Sequence, residues 1–216
     1  MKSEKNYLTE EKLEALREAV KPYYTEKRYG HTLGVEREAK ALGEIFLPND
    51  VTRLRAAALL HDITKNLAIE KQLKICEEFG IIIEDADIRA PKLFHAKTGS
   101  AVAERNFPEY TDEEIISAVR WHTTGRADMS LFEMLIYLAD YIEDTRTFPD
   151  CIALRKMFYK GIEKAETEKE RLSVLRETMI RSFDMTIRCL IEEGGLVDRD
   201  TVEARNRFIL NEIKTY

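Results

Sequence analysis

Apolar residues recur every three or four positions along most of this chain, and that spacing is typical of amphipathic helices. Two clear repeats lie in segments 13–20 and 35–46, and each ends just before a proline. The β-branched run Ile81–Ile83 is too short to argue for a sheet. The pattern therefore predicts an all-α fold. The apolar positions of the two repeats are Leu13, Leu16, Val20, Val35, Ala39, Leu42 and Phe46.

Polar residues with capping chemistry mark where several helices should begin. Asp50 stands before the segment RLRAAALLHD, and Asn66 stands before a further helical pattern that ends at Gly80. We expect a helix to start near each of them. Three more pairs match the S/T-x-x-E capping box or a weaker relative of it: Thr111 with Glu114, Ser130 with Glu133, and Asp200 with Glu203.

The 216 residues show no clean repeat, low-complexity tract or Gly/Ser linker that would divide the chain. We interpret residues 1–150 as one compact domain that holds the functional residues. Residues 151–216 are interpreted as a charged helical extension of the same domain. The charged run Glu163–Arg171 should be the solvated face of a helix in that extension.

The charge balance limits the partners of this chain. It has 34 basic and 40 acidic residues, so its net charge is -6 at pH 7. An acidic chain is a poor candidate for binding nucleic acid by charge alone, because such binding depends on many Lys and Arg contacts to phosphates. Any bound polyanion must therefore be held by a metal or by a few well-placed cationic side chains.

Cysteine usage and hydropathy indicate a reducing compartment without membrane contact. Cys76, Cys151 and Cys189 are widely spaced and form no CxxC pair, which argues against disulfides and thiolate zinc sites. The N-terminus is charged and lacks the apolar region of a signal peptide. The longest apolar runs, Ala56–Leu60 and Met134–Ala139, are far shorter than the roughly 20 residues that a membrane span needs. We expect a cytoplasmic protein.

The chain has four histidines, and each lies near a predicted helix end or at a break in the helical pattern. A single histidine is structural or exposed about three times as often as it is a metal ligand. One histidine therefore indicates little, whereas several beside buried acids would indicate a metal site. The four are His31, His61, His95 and His122.

Two aspartates follow apolar runs that should be buried. Ala56–Leu60 leads directly to His61 and Asp62, and Met134–Ala139 leads to Asp140. A buried carboxylate is costly unless a cation or strong hydrogen-bond donors face it. Alone, Asp140 is better explained as an exposed residue on the polar side of its helix. Together, carboxylates and imidazoles on different helices can converge on a divalent metal, and these donors suit iron, manganese or zinc.

Two further features suit a phosphate ligand. Lys65 follows Asp62 by three residues, so its ammonium group can reach a phosphate there, although an exposed lysine explains it equally well. The segment Thr123–Arg126 offers hydroxyls, backbone N–H groups and a guanidinium beside His122, as does an ordinary capped loop. Four aromatic residues could stack on a base, although the core is the simpler place for most of them: Tyr23, Tyr24, Tyr29 and Trp121.

The order His31, His61-Asp62 and Asp140 resembles that of the HD phosphohydrolase superfamily. The similarity extends to the YqeK-like family of symmetrical diadenosine tetraphosphate hydrolases, over residues 28–150. Its most specific part is WHTTGR followed by IYLADYIED, because an isolated His-Asp pair is a weak signal. The other segments that carry the resemblance are RYGHTLGVEREAKAL, AALLHDITK, FHAKTGSAVA and the trailing RTFPD.

The resemblance implies an HD-domain helical bundle with a C-terminal helical extension. The implied activity is symmetrical hydrolysis of diadenosine tetraphosphate to two ADP, with a divalent metal, typically iron, as cofactor. The metal would lower the pKa of a bound water. Asp62 would bind the metal and also accept a proton from that water, and Lys65 would be the second catalytic residue.

The resemblance also implies the site residues. The implied metal ligands are His31, His61, Asp62 and Asp140, with His95 and His122 as candidates for a second ion. The candidate substrate-binding residues, which include Arg126 from the loop chemistry above, are Asp62, Ile63, Thr64, Lys65, His95, His122, Thr123, Arg126, Asp140 and Arg146.

Two segments depart from the family pattern. The family shows His-Gly-x-Val/Ile-Gly where this chain reads HAKTG over His95–Gly99, and it shows Pro-Gly where this chain has Asp144-Thr145. Neither departure removes a ligand. Both lie in loops whose shape could alter the substrate preference.

Two other functions are consistent with these residues. One is a different HD nucleotide phosphohydrolase, acting on a nucleoside monophosphate or an alarmone. The other is a non-catalytic HD-like interaction module, which the intact set of four histidines and two aspartates argues against. The expected partner is a dinucleoside polyphosphate or an ADP-type nucleotide, and the sequence leaves a homodimer open.

Overall fold

The computed structural model describes residues 7–210. Residues 1–6 of the predicted domain 1–150 and residues 211–216 of the predicted extension 151–216 therefore lie outside the described residues. Within residues 7–210 the regular secondary structure is helical, which confirms the all-α prediction. The α-helices are α1 (Glu10–Val20), α2 (Glu26–Phe46), α3 (Val51–Leu60), α4 (Ile69–Glu78), α5 (Asp85–Arg89), α6 (Phe94–Asn106), α7 (Glu113–Trp121), α8 (Leu131–Ile142), α9 (Pro149–Lys164), α10 (Glu168–Glu192) and α11 (Arg199–Leu210).

The first two helices form where the apolar repeats predict them. The apolar face of α1 buries Leu13, Leu16 and Val20 completely. The repeat in α2 is also buried, except for the partly buried Phe46 at its end, and the helix stops there, two residues before Pro48. Both helices therefore pack through the face that their sequence period defines.

The predicted capping box of α8 is confirmed, whereas α7 is capped by the residue after the predicted one. The Ser130 hydroxyl accepts a hydrogen bond from the N–H of Glu133, and the Glu133 carboxylate accepts one from the N–H of Ser130, as predicted. At α7 the cap is Asp112, whose carboxylate accepts two N–H bonds from the first turn. The predicted Thr111 cap is wrong by one residue, because its hydroxyl donates instead to the preceding turn.

Two other predicted caps have different partners. Helix α11 begins after Asp198, which accepts the N–H of Asp200 at 2.9 Å, so the box predicted from Asp200 to Glu203 is wrong. Asp50 does precede α3, but its carboxylate binds the guanidinium of Arg53 at 2.5 Å and no backbone N–H. A charged donor within reach thus replaces the backbone bond that the sequence pattern predicts.

The charged run in the C-terminal part is a helix boundary. Helix α9 ends at Lys164 and α10 begins at Glu168, so the interpretation of Glu163–Arg171 as one helix face is wrong. Thr167 and Glu170 form a capping box at this break. None of the helices between residues 7 and 210 is long and apolar enough to cross a membrane.

The segment after α3 is made of turns. The helix predicted from Asn66 begins only at Ile69, and residues 61–67 form successive tight turns before it. These turns hold His61 and Asp62 at the end of α3. Three backbone N–H groups close these turns, and each donates to the carbonyl three residues earlier. They belong to Ile63, Lys65 and Leu67.

Helices α3 and α8 form the centre of the molecule, and α2 packs on both. Every residue of Ala56–Leu60 and of Leu135–Ala139 is buried. The C-terminal helices cover α8, because the Phe183 ring of α10 lies 4.8 Å from the Tyr137 ring and 5.8 Å from the Phe208 ring. The site residues that end α3 and α8 are therefore anchored by fully buried helical segments. The division of the chain at residue 150 stays a prediction.

Candidate functional site

Three of the histidines are oriented by the same local bond. The ring N–H at Nδ1 of His61, His95 and His122 donates to the carbonyl three residues earlier, at 2.7 Å in each case. A neutral imidazole carries one ring proton, so Nε2 of each ring keeps a lone pair. Burial lowers the pKa of His95 to about 4, which keeps that ring neutral at pH 7. Each ring can thus act as a ligand through Nε2.

His31 is oriented by a carboxylate that is close in space but far away in the sequence. Its Nδ1 lies 3.0 Å from Oε1 of Glu143, which is fully buried just past the end of α8. The Glu143 carboxylate also accepts bonds from the N–H and the hydroxyl of Thr145, at 2.6 and 2.8 Å. A carboxylate behind an imidazole is a common support for a metal-binding histidine, since it sets the tautomer and the ring direction.

Gly34 makes room for this carboxylate. A Cβ atom at position 34 would overlap Oε2 of Glu143, so only glycine fits there without a shift. Neither Gly34 nor Glu143 is among the residues predicted from the sequence. The available signals were an acid one helical turn after Asp140 and a glycine inside an otherwise helical repeat.

Asp62 lies between two pairs of histidines. Its Oδ2 is 3.4 Å from Nε2 of His61 and 3.9 Å from Nε2 of His31. Its Oδ1 is 3.1 Å from Nε2 of His95 and 3.6 Å from Nε2 of His122. One carboxylate therefore faces both pairs, with one oxygen toward each.

Asp140 completes the first of these groups. Its Oδ1 is 3.0 Å from Nε2 of His31 and 3.9 Å from Nε2 of His61. Both nitrogens are buried and lack a hydrogen-bond partner among residues 7–210. Lone pairs that face carboxylate oxygens in a buried site fit a cation between them. Two overlapping groups have donor atoms within 4.8 Å of one another: His31, His61 and Asp140, and His61, Asp62 and His122.

The charges in the cluster favour a cation. Burial alone would raise the pKa of Asp62, yet the surrounding imidazoles, His61 foremost, hold it well below its usual range. Burial would likewise raise the pKa of Asp140, which Arg146 and His31 hold well below its usual range. Burial lowers the pKa of His31, but the carboxylates beside it outweigh burial and raise it to about 9, so a metal ion that binds there would displace the Nε2 proton of this ring. Both aspartates are thus available as anionic ligands at pH 7.

Two predicted cationic residues border the cluster. The Lys65 ammonium lies 3.2 Å from Nε2 of His95. Arg146 donates through Nε to the Asp140 carbonyl at 2.6 Å and through Nη2 to the Asp140 carboxylate. The chain does turn back after α8 so that the Arg146 guanidinium reaches the site. Their roles in binding phosphate stay predictions.

A third cation was not predicted. Arg28 lies in the first turn of α2, three residues before His31, and its Nη1 donates to Oδ2 of Asp62 at 2.9 Å. The sequence signal was the spacing in RYGH, since residues three apart share a helix face. Each of the two aspartates in the cluster thus has an arginine beside it.

The predicted loop after His122 contributes one residue directly. The Thr123 hydroxyl lies 3.2 Å from Nε2 of His95 and 3.0 Å from Nε2 of His122, inside the cluster. The Arg126 guanidinium instead forms a salt bridge with the buried Glu133 at 3.0 Å. Its guanidinium therefore supports the start of α8, and a contact with phosphate would require it to leave that partner.

The side chains of two predicted substrate-binding residues lie away from the cluster, and their contact with substrate stays a prediction. Ile63 is fully buried and belongs to the hydrophobic core. The Thr64 hydroxyl donates to the carbonyl of His95 at 2.9 Å and lies 2.8 Å from the Thr98 hydroxyl. Thr64 thus ties the turn after α3 to α6 and positions His95. Within the turns of residues 61–67, Asp62 and Lys65 face the cluster, whereas the two residues between them do not.

The aromatic candidates are used in packing. The Tyr24 hydroxyl donates to the carbonyl of Leu59 at 2.8 Å, and Tyr23 and Tyr29 pack against the core. Trp121 stacks on the guanidinium of Arg120 at 4.0 Å. Stacking of a base on any of these rings stays a prediction.

Comparison with known proteins places this geometry in a family. The HD domain family model matches residues 28–145, the span that contains all four histidines and both aspartates. A solved structure from Clostridium acetobutylicum, described as a predicted HD superfamily hydrolase involved in NAD metabolism, superimposes with a TM-score of 0.79. It is 36% identical and the match covers 91% of this chain and 96% of that one.

Curated bacterial relatives match over nearly their whole length. A protein of Halalkalibacterium halodurans is 32% identical over 193 residues, covering 89% of this chain and 95% of the relative. One of Bacillus subtilis is 36% identical, covering 84% and 89%, and one of Staphylococcus aureus is 32% identical, covering 82% and 92%. All three are named symmetrical bis(5'-nucleosyl)-tetraphosphatases.

Proposed function

Because the chain belongs to the HD-domain family, and within it to the family of symmetrical bis(5'-nucleosyl)-tetraphosphatases, we propose that it hydrolyses diadenosine tetraphosphate. One water is added across the central phosphoanhydride, and the two products are both ADP. The observation that carries the proposal is the Asp62 carboxylate between two pairs of lone-pair imidazole nitrogens, bordered by cationic side chains.

The residues of the cluster would hold one or two divalent cations. His31, His61, Asp62 and Asp140 would hold the first. His95 and His122, together with Asp62, would hold a second. We propose iron, because neutral imidazoles with carboxylates suit it and no thiolate is present among these ligands, and manganese or zinc would fit the same donors.

The remaining residues act on the phosphates. A divalent metal, when bound by these residues, would supply a water of lowered pKa and a positive charge for the phosphoryl oxygens. The low pKa of Asp62 suits it better to a ligand's role than to accepting a proton. The Lys65 ammonium and the Thr123 hydroxyl, both beside His95, can donate to phosphoryl oxygens, and the Arg146 guanidinium can grip two oxygens at once.

The test is the identity of the first products. The metal-loaded protein is incubated with diadenosine tetraphosphate, and early time points are separated by chromatography, with the Asp62→Ala variant as a control for contaminating enzymes. ADP alone is expected. AMP together with ATP as initial products, or no turnover above the control, would refute the proposal.

The same assay separates the alternatives. Faster turnover of a nucleoside monophosphate or an alarmone would indicate a different HD nucleotide phosphohydrolase. Failure to bind metal in elemental analysis would favour a non-catalytic interaction module. A cytoplasmic location, the absence of nucleic-acid binding and a homodimeric state stay predictions.

A further inference from the structure

The segment between α8 and α9 brings two supporting side chains to the cluster. Glu143 is the first residue of this segment, and its carboxylate faces Nδ1 of His31 at 3.0 Å. Arg146 follows three residues later, and it binds both the carbonyl and the carboxylate of Asp140. Two of the candidate metal ligands are therefore supported from a single turn, residues 143–146.

This turn has few backbone hydrogen bonds of its own. Helix α8 ends at Ile142, and Glu143 leaves the helical conformation with φ -58° and ψ 154°. The N–H of Arg146 closes the turn by donating to the carbonyl of Glu143 at 3.2 Å, which is the long end of the usual range. The last carbonyls of a helix also lack partners within the helix. The shape of the turn therefore depends on side chains that bind these carbonyls.

Arg155, in the second turn of α9, supplies the missing donors. Its Nε donates to the carbonyl of Ile142. Its Nη2 donates to the carbonyls of Glu143 and Arg146, the second at 3.2 Å. A planar guanidinium can bind several acceptors at once, and a cation is favourable at the C-terminal end of a helix. One side chain of α9 thus connects the end of α8 to both ends of the turn.

These bonds extend beyond the capping of α8. A cap alone would need the carbonyl of Ile142, whereas Arg155 also binds the main chain of the two residues whose side chains support the cluster. We propose that Arg155 is a positioning residue, which fixes the turn so that Glu143 supports His31 and Arg146 reaches the phosphates. The part that concerns Arg146 rests on the proposed function.

The test compares Arg155→Ala and Arg155→Lys with Lys156→Ala. Lys156 is the next residue of α9 and is exposed. For each protein, affinity for Mn²⁺ is measured by titration, unfolding by a melting curve, and hydrolysis of diadenosine tetraphosphate by steady-state kinetics at saturating Mn²⁺. Arg155→Ala should weaken Mn²⁺ binding about tenfold and, once saturated, lower kcat/KM about tenfold. Arg155→Lys should lie between, because an ammonium lacks the planar fork, and Lys156→Ala should match the wild type.

Double variants separate positioning from a general loss of stability. If Arg155 acts through Glu143, then Arg155→Ala combined with Glu143→Gln should bind Mn²⁺ no more weakly than the weaker of the two single variants. If it also acts through Arg146, then Arg155→Ala combined with Arg146→Ala should show no further loss of kcat/KM. A residue that only stabilises the fold would give additive losses in both pairs.

Additive losses in either double variant would overturn the inference for that side chain. Wild-type Mn²⁺ affinity and kcat/KM in Arg155→Ala would overturn it altogether, as would the same result in Arg155→Lys if the alanine variant fails to fold. The Mn²⁺ titration needs no turnover. A wild-type protein that binds Mn²⁺ but does not cut the tetraphosphate would therefore refute the proposed function alone.

Discussion

The Nδ1 atom of His31 lies 3.0 Å from Oε1 of Glu143, across 112 positions of sequence. The bond directs Nε2 of that imidazole toward Asp140 and Asp62. It also connects α2 to the end of α8, the two helices that supply His31 and Asp140. The buried carboxylate thus supports the site without facing the substrate.

Replacing Glu143 with Gln should weaken metal binding about tenfold to a hundredfold while the helical content stays the same. The amide oxygen can still face His31, but the negative charge is gone and the amide nitrogen cannot accept from Thr145. Metal titration and circular dichroism measure the two effects. Asp144→Asn is the matched control, since Asp144 is exposed. Unchanged metal affinity in Glu143→Gln would refute this supporting role.

Gly34→Ala should also weaken metal binding, because the added methyl group overlaps the Glu143 carboxylate. Gly30 is the control, since it lies in the same helix and a Cβ atom there meets nothing within 4 Å. Gly30→Ala should be neutral or stabilising by about 0.5–1 kcal/mol, as expected for glycine in a helix. Thermal unfolding and metal titration of both variants test this prediction. Equal metal affinity in Gly34→Ala and Gly30→Ala would show that the overlap with Glu143 does not matter.

Asp62→Ala should lose most of its bound metal and nearly all activity while remaining helical. The two carboxylate oxygens of Asp62 face the imidazoles of all four histidines. Removing a buried carboxylate can even raise the melting temperature of the metal-free protein. Elemental analysis and a melting curve test this, and full metal content in the variant would show that Asp62 is not a ligand.

The histidines should separate into two classes. His31→Ala and His61→Ala should strip the metal, because both share the Asp140 side of the cluster. His95→Ala should reduce turnover and keep at least one ion, because its Nε2 faces the other oxygen of Asp62. Metal content per chain and kcat are measured for all three. Complete and equal metal loss in all three would place His95 in the first group.

Arg146→Lys should keep the metal and the fold and lower kcat/KM about tenfold to a hundredfold, equivalent to about 1.4–2.7 kcal/mol of transition-state binding. A lysine retains the charge but cannot offer the planar fork that grips two phosphate oxygens. Arg146→Ala should be worse, partly in KM. Steady-state kinetics with metal content checked alongside give the answer, and a wild-type kcat/KM in Arg146→Ala would leave Arg146 as a structural partner of Asp140.

Much of the fold could be predicted from local sequence. The apolar spacing in α1 and α2 and the Ser130–Glu133 box each depend on residues within a few positions of one another. The predictions that failed also concern short segments, namely where helices begin and end. The helix predicted through Asp62 ends at Leu60, the one predicted from Asn66 begins at Ile69, and the sequence analysis did not identify the capping box at Thr167 within the charged run.

Local pattern alone identified candidate site residues, because a carboxylate at the end of a buried apolar run is costly unless a cation or donors face it. Asp62 and Asp140 were identified in this way, and the resemblance to the HD superfamily grouped them with His31 and His61 as ligands. The donor atoms of these four residues do lie together. Which atoms of these residues meet depends on how the helices pack. The positions of Arg28 on Asp62, of Glu143 behind His31 and of Thr64 behind His95 follow from how α2, α3, α6 and α8 pack, and packing joins residues that no local pattern relates.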